Sequence, residues 1–420
     1  MSTDTVSFDL ADVEFLKKPP EVRLAALAEL RRLPGPVFFP EPKVPLVPRG
    51  KGFWALVRHA DVVEASRTPE VFSSEPTATT SIDTPAYLAK YVGSMINMDD
   101  PRHAQIRRVV SRAFSPRMLA RMEDQVQTIA EEIVDDLIAR GPCDFVPHVA
   151  ARLPIQVICD MMGIPKEMHE RVFDLTNVML GFTDPEYTGH DPDYSLRHTL
   201  PVLVQLVRTG RALYSLAMRL GKERQRTPTD DLTSALVNTN VDGESLTAQE
   251  FGSFFLLLVV AGNETTRNAI AHGLNFFTRF PDQRALLLED FEGRIGTATE
   301  EIIRYSSPVK AFRRNVTRDH EMNGHTYRRG DKVMLYYGSA NRDEAVFERP
   351  DEFDILRNPN PHVAFGGPGP HYCLGAHLAR REITVMFREL FTRIPEIRAG
   401  EPEYLRSIII EGVKHLDCDW

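Results

Sequence analysis

Cys373 is the residue whose surroundings most suggest chemistry. It lies in AFGGPGPHYCLGAHLAR, residues 364–380, behind a loop of three glycines and two prolines and directly before a predicted helix. A helix N-terminus presents unpaired N–H groups and positive dipole character, and this setting favours thiolate over thiol. Cys373 is therefore a nucleophile, a metal ligand or an incidental core thiol, and this stretch alone leaves all three open.

A zinc site is one alternative, because histidines accompany this cysteine at positions 362, 371 and 377. Histidine and cysteine are the usual zinc ligands. The spacing lacks paired cysteines or histidines, however, and no second cysteine lies nearby. The glycines and prolines fit better with a backbone that passes close to a large flat ligand. A thiolate beneath a macrocycle is one way in which proteins hold haem.

A second motif, LLLVVAGNETTRNAI at residues 256–270, places polar groups inside an apolar helical run. Gly262 and the threonines weaken the regular hydrogen-bond ladder, so we expect the helix to distort here, as helices often do at functional sites. A buried Glu264 beside Thr265 would be able to relay protons. The alternative is a solvated, polar helix end.

Two charged pairs also share predicted helix faces. Glu301 and Arg304, in EEIIRYSSPV, are three residues apart and can pair, although most such pairs are exposed and contribute little. His103 and Arg107 lie four apart at the start of a helix, where they can bind an anion. A solvated basic face explains the second pair equally well.

The elements that must position these residues are mostly helical. Apolar periodicity predicts helix over about 101–305 and 374–392, and short strands around turns over 36–60 and 310–340. Residues 73–100 show little periodicity and read as a long loop. Because no repeat or linker stands out, we expect one domain over residues 1–420, mainly α with minor β.

Composition narrows the class of protein. A net charge of −9 argues against a nucleic-acid partner, and four scattered cysteines cannot build a disulfide framework. The acidic start, MSTDTVSFDLADVEF, does not have the pattern of a signal peptide. The longest apolar run, FFLLLVVA, is much shorter than the roughly 18 residues of a membrane span. We therefore expect a cytoplasmic protein without a membrane anchor.

Taken in order, AGNETT, EIIR and FGGPGPHYCLG resemble the motifs of the cytochrome P-450 superfamily. Each motif alone is weak to moderate, but the ordered set is specific, and the resemblance extends from GFWALVRHADVVEASRTPEVFSS to the C-terminus. It implies a triangular, mainly helical fold with a β-rich side. It also implies haem b between a long helix at about 247–277 and the helix after Cys373.

The same resemblance implies roles around the haem. Cys373 would be the axial thiolate to iron, Phe365 would pack on the thiolate side, and N–H groups after the cysteine, including that of Gly375, would tune the sulfur. The two propionates would be held by charge-assisted bonds from His103, Arg107, Arg314 and His371.

On the oxygen side, Glu264 and Thr265 would be the acid–alcohol pair that delivers protons to dioxygen. Ala261 and Gly262 would leave room for oxygen, while Glu301 and Arg304 would form a structural salt bridge. The substrate walls placed by the resemblance are mostly apolar, which suits a lipid chain, although ordinary core packing explains each position equally well. They are Met95, Ile96, Asn97, Phe182, Leu257, Val260, Ala261, Val309, Phe312 and Ile409.

Two departures from the family pattern stand out. Phe365 lies eight residues before Cys373, where the usual loop has seven. Glu352, in PDEF, stands where the family often has an arginine that completes the Glu–Arg network, and Arg357 is a candidate for that third partner. The longer loop and its neighbouring motifs resemble the actinobacterial members that oxidise branched lipids and steroid side chains.

The resemblance therefore implies a haem-thiolate monooxygenase, RH + O₂ + 2e⁻ + 2H⁺ → ROH + H₂O. Within the group, the chain is most similar to ω-hydroxylases of methyl-branched or isoprenoid lipids, and such members take electrons from a ferredoxin and its reductase. Terminal hydroxylation of a sterol side chain is the alternative substrate assignment. A haem sensor or carrier without turnover is the alternative of another class. A basic docking face for an acidic ferredoxin is expected among Arg107, Arg108, Arg112, Arg380 and Arg381.

Overall fold

Helices dominate the part of the chain where apolar periodicity predicts them. The computed structural model describes residues 6–85, 91, 93–113, 116–191, 193–240, 243 and 245–420. Within these residues the helices are α1 (Val13–Leu16), α2 (Pro20–Arg32), α3 (His59–Arg67), α4 (Arg102–Ala113), α5 (Pro116–Arg140), α6 (Arg152–Met161), α7 (His169–Leu180), α8 (Pro185–Thr188), α9 (Leu196–Arg226), α10 (Leu232–Asn238), α11 (Ala248–Arg279), α12 (Pro281–Glu289), α13 (Phe291–Ser306), α14 (Tyr337–Ala340) and α15 (Ala376–Arg393).

Short strands lie in both predicted regions, 36–60 and 310–340, and others that were not predicted lie outside them, near residues 72 and 143 and after residue 397. They are β1 (Val37–Phe39), β2 (Phe53–Leu56), β3 (Phe72–Ser73), β4 (Cys143–Asp144), β5 (Ala311–Val316), β6 (His320–Met322), β7 (His325–Tyr327), β8 (Lys332–Tyr336), β9 (Arg398–Ala399), β10 (Glu403–Tyr404), β11 (Val413–His415) and β12 (Asp417–Asp419). The largest sheet has the order β1-β2-β8-β5-β3, in which β2 and β8 run parallel and the other pairs antiparallel. It thus joins the N-terminal region to residues 311–336.

The helix α11 is the element around which the core is arranged. It begins with a capping box, in which the Thr247 hydroxyl accepts from the Glu250 amide and the Glu250 carboxylate accepts from the Thr247 amide. Its C-terminal half packs with α5, α13 and α15, and its N-terminal half packs with α6 and α9. Burial along almost its full length, rather than propensity, stabilises so long a helix.

The predicted distortion around Gly262 is absent, since α11 is helical from Ala248 to Arg279 without a break. The Thr265 hydroxyl donates to the Ala261 carbonyl at 2.9 Å, a bond that an α-helix can accommodate without opening a turn. Packing against neighbouring helices keeps α11 regular at positions where the local sequence alone would weaken it.

The predicted loop at 73–100 contains a short 3₁₀ turn at Met95–Asn97. Residues 86–90 and 92 of this loop lie outside the described residues. No helix in the described part of the chain combines the length and apolarity that crossing a bilayer requires.

Candidate active site

The loop before Cys373 folds back on itself at the start of α15. The Cys373 amide donates to the Phe365 carbonyl at 2.9 Å, which closes the loop. Gly369 has φ +155°, and a Cβ there would lie 2.1 Å from the Ser66 carbonyl oxygen. Only glycine therefore allows the loop to lie this close to the end of α3, and this contact explains one of the three glycines in the motif.

Cys373 has an exposed side chain although it is surrounded by protein on most sides. Desolvation raises the pKa of its thiol, and the Gly375 amide, Arg107 and Arg380 act in the opposite direction. This balance contradicts the expectation that the helix start alone favours thiolate, because the desolvation outweighs the amide and the two guanidinium groups. A coordinating metal removes the proton from a thiol outright, so a ligand role does not need a lowered pKa in the free protein.

A stripe on α11 faces open space rather than core. Ala261 is exposed in the middle of this mostly buried helix. Leu257 and Thr265, four residues to either side of it, are half-buried, and so is the adjacent Val260. Val260 and Leu374, the neighbour of Cys373, border the same hydrophobic cluster. The exposed stripe of α11 and the Cys373 thiol therefore lie near the same hydrophobic cluster. A bound apolar ligand fits between them.

Four basic side chains converge near the same loop. His103 and His371 have ring centroids 4.2 Å apart, and His371 Nε2 lies 3.0 Å from the Ser74 hydroxyl. Burial, with Arg314, His103 and Arg107, lowers the pKa of His371 to about 3. His103 is 2% exposed, and its Nε2 has no hydrogen-bond partner among the described residues. An anion such as a haem propionate would relieve this repulsion and satisfy that nitrogen.

These observations test whether the chain fits haem b. The exposed thiol, the open stripe on α11 and the basic cluster without its anion are the three features that such a group would complete. Phe365 is half-buried beside them, and the Arg380 guanidinium lies 4.5 Å from its ring centroid. The residues present therefore fit the cofactor.

Glu264 is buried and ion-paired. Its carboxylate accepts from Arg267 Nη2, and Arg267 Nη1 donates to Oδ1 of Asn177, on α7, at 2.8 Å. Desolvation raises the pKa of Glu264, with Arg267 acting against it. Glu264 is therefore not a solvated helix end. Arg267 was not among the predicted site residues. It lies three residues after Glu264, the same spacing by which Glu301 and Arg304 were predicted to pair.

Glu301 and Arg304 form a bidentate pair with both bonds at 2.7 Å and both side chains fully buried. Arg357 Nε lies 3.3 Å from the Glu301 carboxylate, and Asn360 donates to it at 3.1 Å. The structure thus places Arg357 as the third partner of this network. The Glu352 side chain lies outside the network, although its carbonyl accepts from both arginines.

The residues expected to form substrate walls do not all share one hydrophobic cluster. Phe182, Val309, Phe312 and Ile409 share one hydrophobic cluster, and Leu257 and Val260 border another. Near the 3₁₀ turn, Ile96 is half-buried, whereas Met95 is buried in core packing. Asn97 Oδ1 accepts from the Ala78 amide at 2.8 Å. The Met95 and Asn97 side chains are therefore engaged by the protein itself, and this differs from their expected place in an open wall.

Glu300 is a residue that the sequence analysis passed over. It accepts from Arg380 Nε at 2.5 Å and from His362 Nε2 at 3.0 Å, so it ties α13 to α15 and to the segment before the cysteine loop. These bonds lower its pKa to about 2 against the opposing effect of burial. Its partners, His362 and Arg380, are distant in sequence, so the sequence alone does not indicate that Glu300 has a role.

The basic docking face is smaller than expected. Arg108 and Arg112 are exposed on α4. The positive charge of Arg380 is neutralised by its ion pair with Glu300, and Arg381 is half-buried. Arg107 donates to the Tyr372 carbonyl at 2.7 Å. The zinc alternative finds no support in the described residues, which contain no group of three or more histidine, cysteine or carboxylate ligands suited to a metal ion.

Comparison with known proteins shows the family to which the chain belongs. The family model for cytochrome P450 matches residues 72–393. The chain is 47% identical over 416 residues to the methyl-branched lipid omega-hydroxylases of Mycobacterium bovis and Mycobacterium tuberculosis, covering 98% of this chain and 94% of theirs. It is 40% identical over 375 residues to a steroid C26-monooxygenase of Mycolicibacterium smegmatis, covering 88% and 84%.

Structural comparison gives the same family. A Mycobacterium marinum cytochrome P450 solved in complex with pseudoionone superposes with a TM-score of 0.92 at 41% identity, covering 99% of each chain. The expected fold, mainly α with minor β, is thereby confirmed. Members hold haem b through a thiolate and act as monooxygenases that draw electrons from redox partners. The chain therefore belongs to the cytochrome P450 family.

Proposed function

We propose that this monooxygenase hydroxylates the terminal (ω) methyl group of methyl-branched or isoprenoid lipids. The observation that carries the proposal is the 47% identity, over nearly the whole chain, to relatives named methyl-branched lipid omega-hydroxylases. The apolar cluster of Phe182, Val309, Phe312 and Ile409 supports it, because such walls suit a hydrocarbon chain.

Terminal attack needs a positioning site. A terminal methyl has stronger C–H bonds than internal methylenes or a tertiary branch carbon, so an undirected oxidant would react elsewhere on the chain. A narrow apolar site that holds the chain end against the reacting centre lets geometry override bond strength. A methyl-branched end fills such a site better than a linear one.

The proposal assigns roles to the chain's own residues. Cys373 would hold the haem iron, and His103, Arg107, Arg314 and His371 would hold the propionates. The Phe365 ring and the Gly375 amide would support the thiolate side. When bound, the haem supplies the chemistry that activates dioxygen. Thr265, on the open stripe of α11, would hold a proton near that centre, and Glu264 would supply protons once its pair with Arg267 opens.

Terminal hydroxylation of a sterol side chain is a second candidate. The specific observation in its favour is the 40% identity to a relative named steroid C26-monooxygenase. A sterol side chain also ends in branched methyl groups, so the same narrow site would accept its end. The rest of the wall must then accommodate a rigid ring system rather than a flexible chain.

Spectral titration of the holoenzyme separates these candidates. Methyl-branched fatty acids, linear fatty acids, terpenoids and sterols are added in turn, and the substrate-induced shift of the haem absorption gives each affinity. The proposal expects the tightest binding from branched fatty acids or isoprenoids. Tightest binding by a sterol would transfer the assignment to the second candidate, and binding by none of these lipids would contradict both.

A ferredoxin and its reductase are the redox partners in this proposal. Arg108 and Arg112, both exposed on α4, support an acidic protein partner, whose approach would weaken with salt. Reversing both to Glu should slow reduction by an acidic ferredoxin, while reversing the exposed Arg211 and Arg219 of α9 should not. Equal rates in all variants would place the docking face elsewhere.

A cytoplasmic location completes the proposal. The four cysteines are free thiols, which a reducing compartment maintains. Cell fractionation with an antibody against the chain tests this location, and recovery in the membrane or secreted fraction would contradict it.

A further inference from the structure

A cavity of about 100 Å³ lies between the N-terminal helices and the five-stranded sheet. Phe15 and Leu27 of α1 and α2 form one wall, Phe53 and Met334 of β2 and β8 form another, and Ile408 closes a third. The space holds several waters, or a polar headgroup with a short stretch of apolar chain. None of the roles proposed above for the haem site uses it.

Charged side chains line one part of this cavity. Arg23 NH2 donates to the Glu411 carboxylate, and Lys310 Nζ lies 3.7 Å from Glu411 Oε2. Arg342, also in the lining, has a separate partner in Asp351 at 3.6 Å. Arg23 and Lys310 therefore share one carboxylate, and among the described residues this group keeps one positive charge without an ion-pair partner of its own.

The other titratable groups nearby form no ion pair with Arg23 or Lys310 among the residues that the structure describes. His272 Nε2 lies 3.2 Å from the Glu411 carbonyl, and burial lowers the pKa of His272, so it stays neutral near pH 7. Asp9 and Asp12 keep their negative charge and accept hydrogen bonds from backbone amides two residues further on, and within the described part of the chain neither forms an ion pair with Arg23 or Lys310.

Two donors in this group have capacity for a ligand. Arg23 is 5% exposed, and its Nε has no hydrogen-bond partner among the described residues. Lys310 Nζ donates to the Ser407 carbonyl at 2.7 Å, which leaves ammonium protons for a further acceptor. Because a buried donor without an acceptor costs free energy, an anion with two oxygens would stabilise both side chains. A carboxylate has this chemistry.

The cavity adjoins the candidate substrate site. Ile408 lines the cavity and also packs against the hydrophobic cluster that contains Phe182 and Ile409. The Lys310 amide donates to the Ile409 carbonyl at 2.8 Å, so the chain segment that carries the lysine also carries the expected wall residue Val309. A lipid whose carboxylate lies at Lys310 therefore has Ile408 and this hydrophobic cluster beside it.

We propose that this cavity binds the carboxylate of the lipid substrate through Lys310 and Arg23, while the methyl end lies at the haem site. This inference rests on the proposed function and deepens it, because it makes the substrate a free branched-chain acid rather than its ester or alcohol. The apolar walls receive the methylenes next to the carboxylate. Holding the acid end away from the iron also fixes which end of the chain is oxidised.

The test compares one methyl-branched fatty acid with its methyl ester, by calorimetric titration of the holoenzyme. The wild type should bind the acid roughly tenfold or more tightly than the ester, because charge-assisted bonds are stronger than neutral ones. In Lys310→Met this preference should disappear while the affinity for the ester stays the same. The exposed Lys222→Met variant is the matched control and should keep the preference.

A second measurement needs no variant. Burial lowers the pKa of Lys310 to about 8, with Glu411 opposing and Arg23 reinforcing the shift. The preference for the acid should therefore decline in the wild type as the pH rises above about 8, since a neutral amine holds a carboxylate less well.

The proposal would be overturned by an acid preference that persists in a folded Lys310→Met variant, or by one that does not change between about pH 7 and about pH 10. A wild type without any acid preference would overturn it too. Failure of the proposed function is distinguishable, because product analysis would then find no ω-alcohol from either the acid or the ester, whatever their affinities.

Discussion

Glu264 and Arg267 form an ion pair within α11, less than one helical turn apart, with both side chains buried. Thr265, between them in sequence, is half-buried on the stripe that includes the exposed Ala261. The carboxylate and the hydroxyl of the expected acid–alcohol pair thus have different surroundings: one is neutralised inside the protein and the other borders open space. Proton supply from Glu264 requires that this ion pair open.

Breaking the pair from one side should destabilise the protein. Arg267→Leu should lower the free energy of unfolding by about 3–5 kcal/mol, because it leaves a buried carboxylate without its counter-charge. The double variant Glu264→Leu/Arg267→Leu should recover most of that loss, as a double-mutant cycle by denaturant unfolding will measure. Arg349→Leu is the matched control, since its pair with Glu352 has the same spacing but is exposed. A loss in the double variant equal to the sum of the losses in Glu264→Leu and Arg267→Leu would show that the pair is not coupled.

Thr265 should control how electrons are used. Thr265→Ala should still bind haem and substrate, but product formed per NADH should fall by about tenfold or more while peroxide rises, because the hydroxyl that helps time proton delivery is gone. Thr266→Ala, a buried neighbour on the same helix, is the control and should stay coupled. Unchanged coupling in Thr265→Ala would remove this residue from the mechanism.

Cys373 should be the one cysteine on which haem ligation depends. Its exposed thiol lies at the start of α15 with the Gly375 amide bonded to it, whereas Cys159 is buried in core packing. Cys373→Ser should abolish the carbon-monoxide band typical of thiolate ligation, and Cys159→Ser should leave it intact. Retention of the band in a folded Cys373→Ser variant would refute the ligand assignment.

Glu300 should make the cysteine loop sensitive to acid. Its pKa is about 2 in the folded protein against an ordinary value of 4.5, so the stability that it contributes is present above about pH 4.5 and is lost as the pH falls towards 2. Glu300→Gln should cost about 2 kcal/mol at pH 7 and flatten this acid transition. Unfolding monitored by the carbon-monoxide band measures both effects.

The control for Glu300 lies on the same helix. Glu292 of α13 also pairs with an arginine of α15, Arg388, but it is exposed to solvent. Glu292→Gln should therefore change stability by less than about 1 kcal/mol. If the two variants behave alike, the bonds from Arg380 and His362 do not stabilise the loop.

The helices were the part of the fold that sequence predicted best. Periodic apolar residues predicted a helix at 374–392, close to Ala376–Arg393, and the family resemblance implied a long one at 247–277, close to Ala248–Arg279. The distortion predicted at Gly262 was wrong, because local propensity says nothing about the packing that holds α11 regular.

Site residues on one helix turn were predictable as pairs, but their burial was not. The spacing of Glu301 and Arg304 was visible, whereas their complete burial and the approach of Arg357 depend on tertiary packing. Lys310 and Glu411 are distant in sequence, and nothing in either segment marks them as neighbours. Such partners are recognised only once the fold brings the segment after α13 and the C-terminal loop together.

The position of oxygen insertion is the sharpest test of the proposed ω-hydroxylation. The holoenzyme, reconstituted with a surrogate ferredoxin and reductase, is given matched methyl-branched and linear fatty acids, and mass spectrometry locates the new hydroxyl. We expect the ω-alcohol of the branched acid as the main product, with tighter binding than the linear acid, since each buried methyl group adds about 0.8 kcal/mol. Predominantly internal or tertiary hydroxylation, or a preference for the linear chain, would contradict the proposed function.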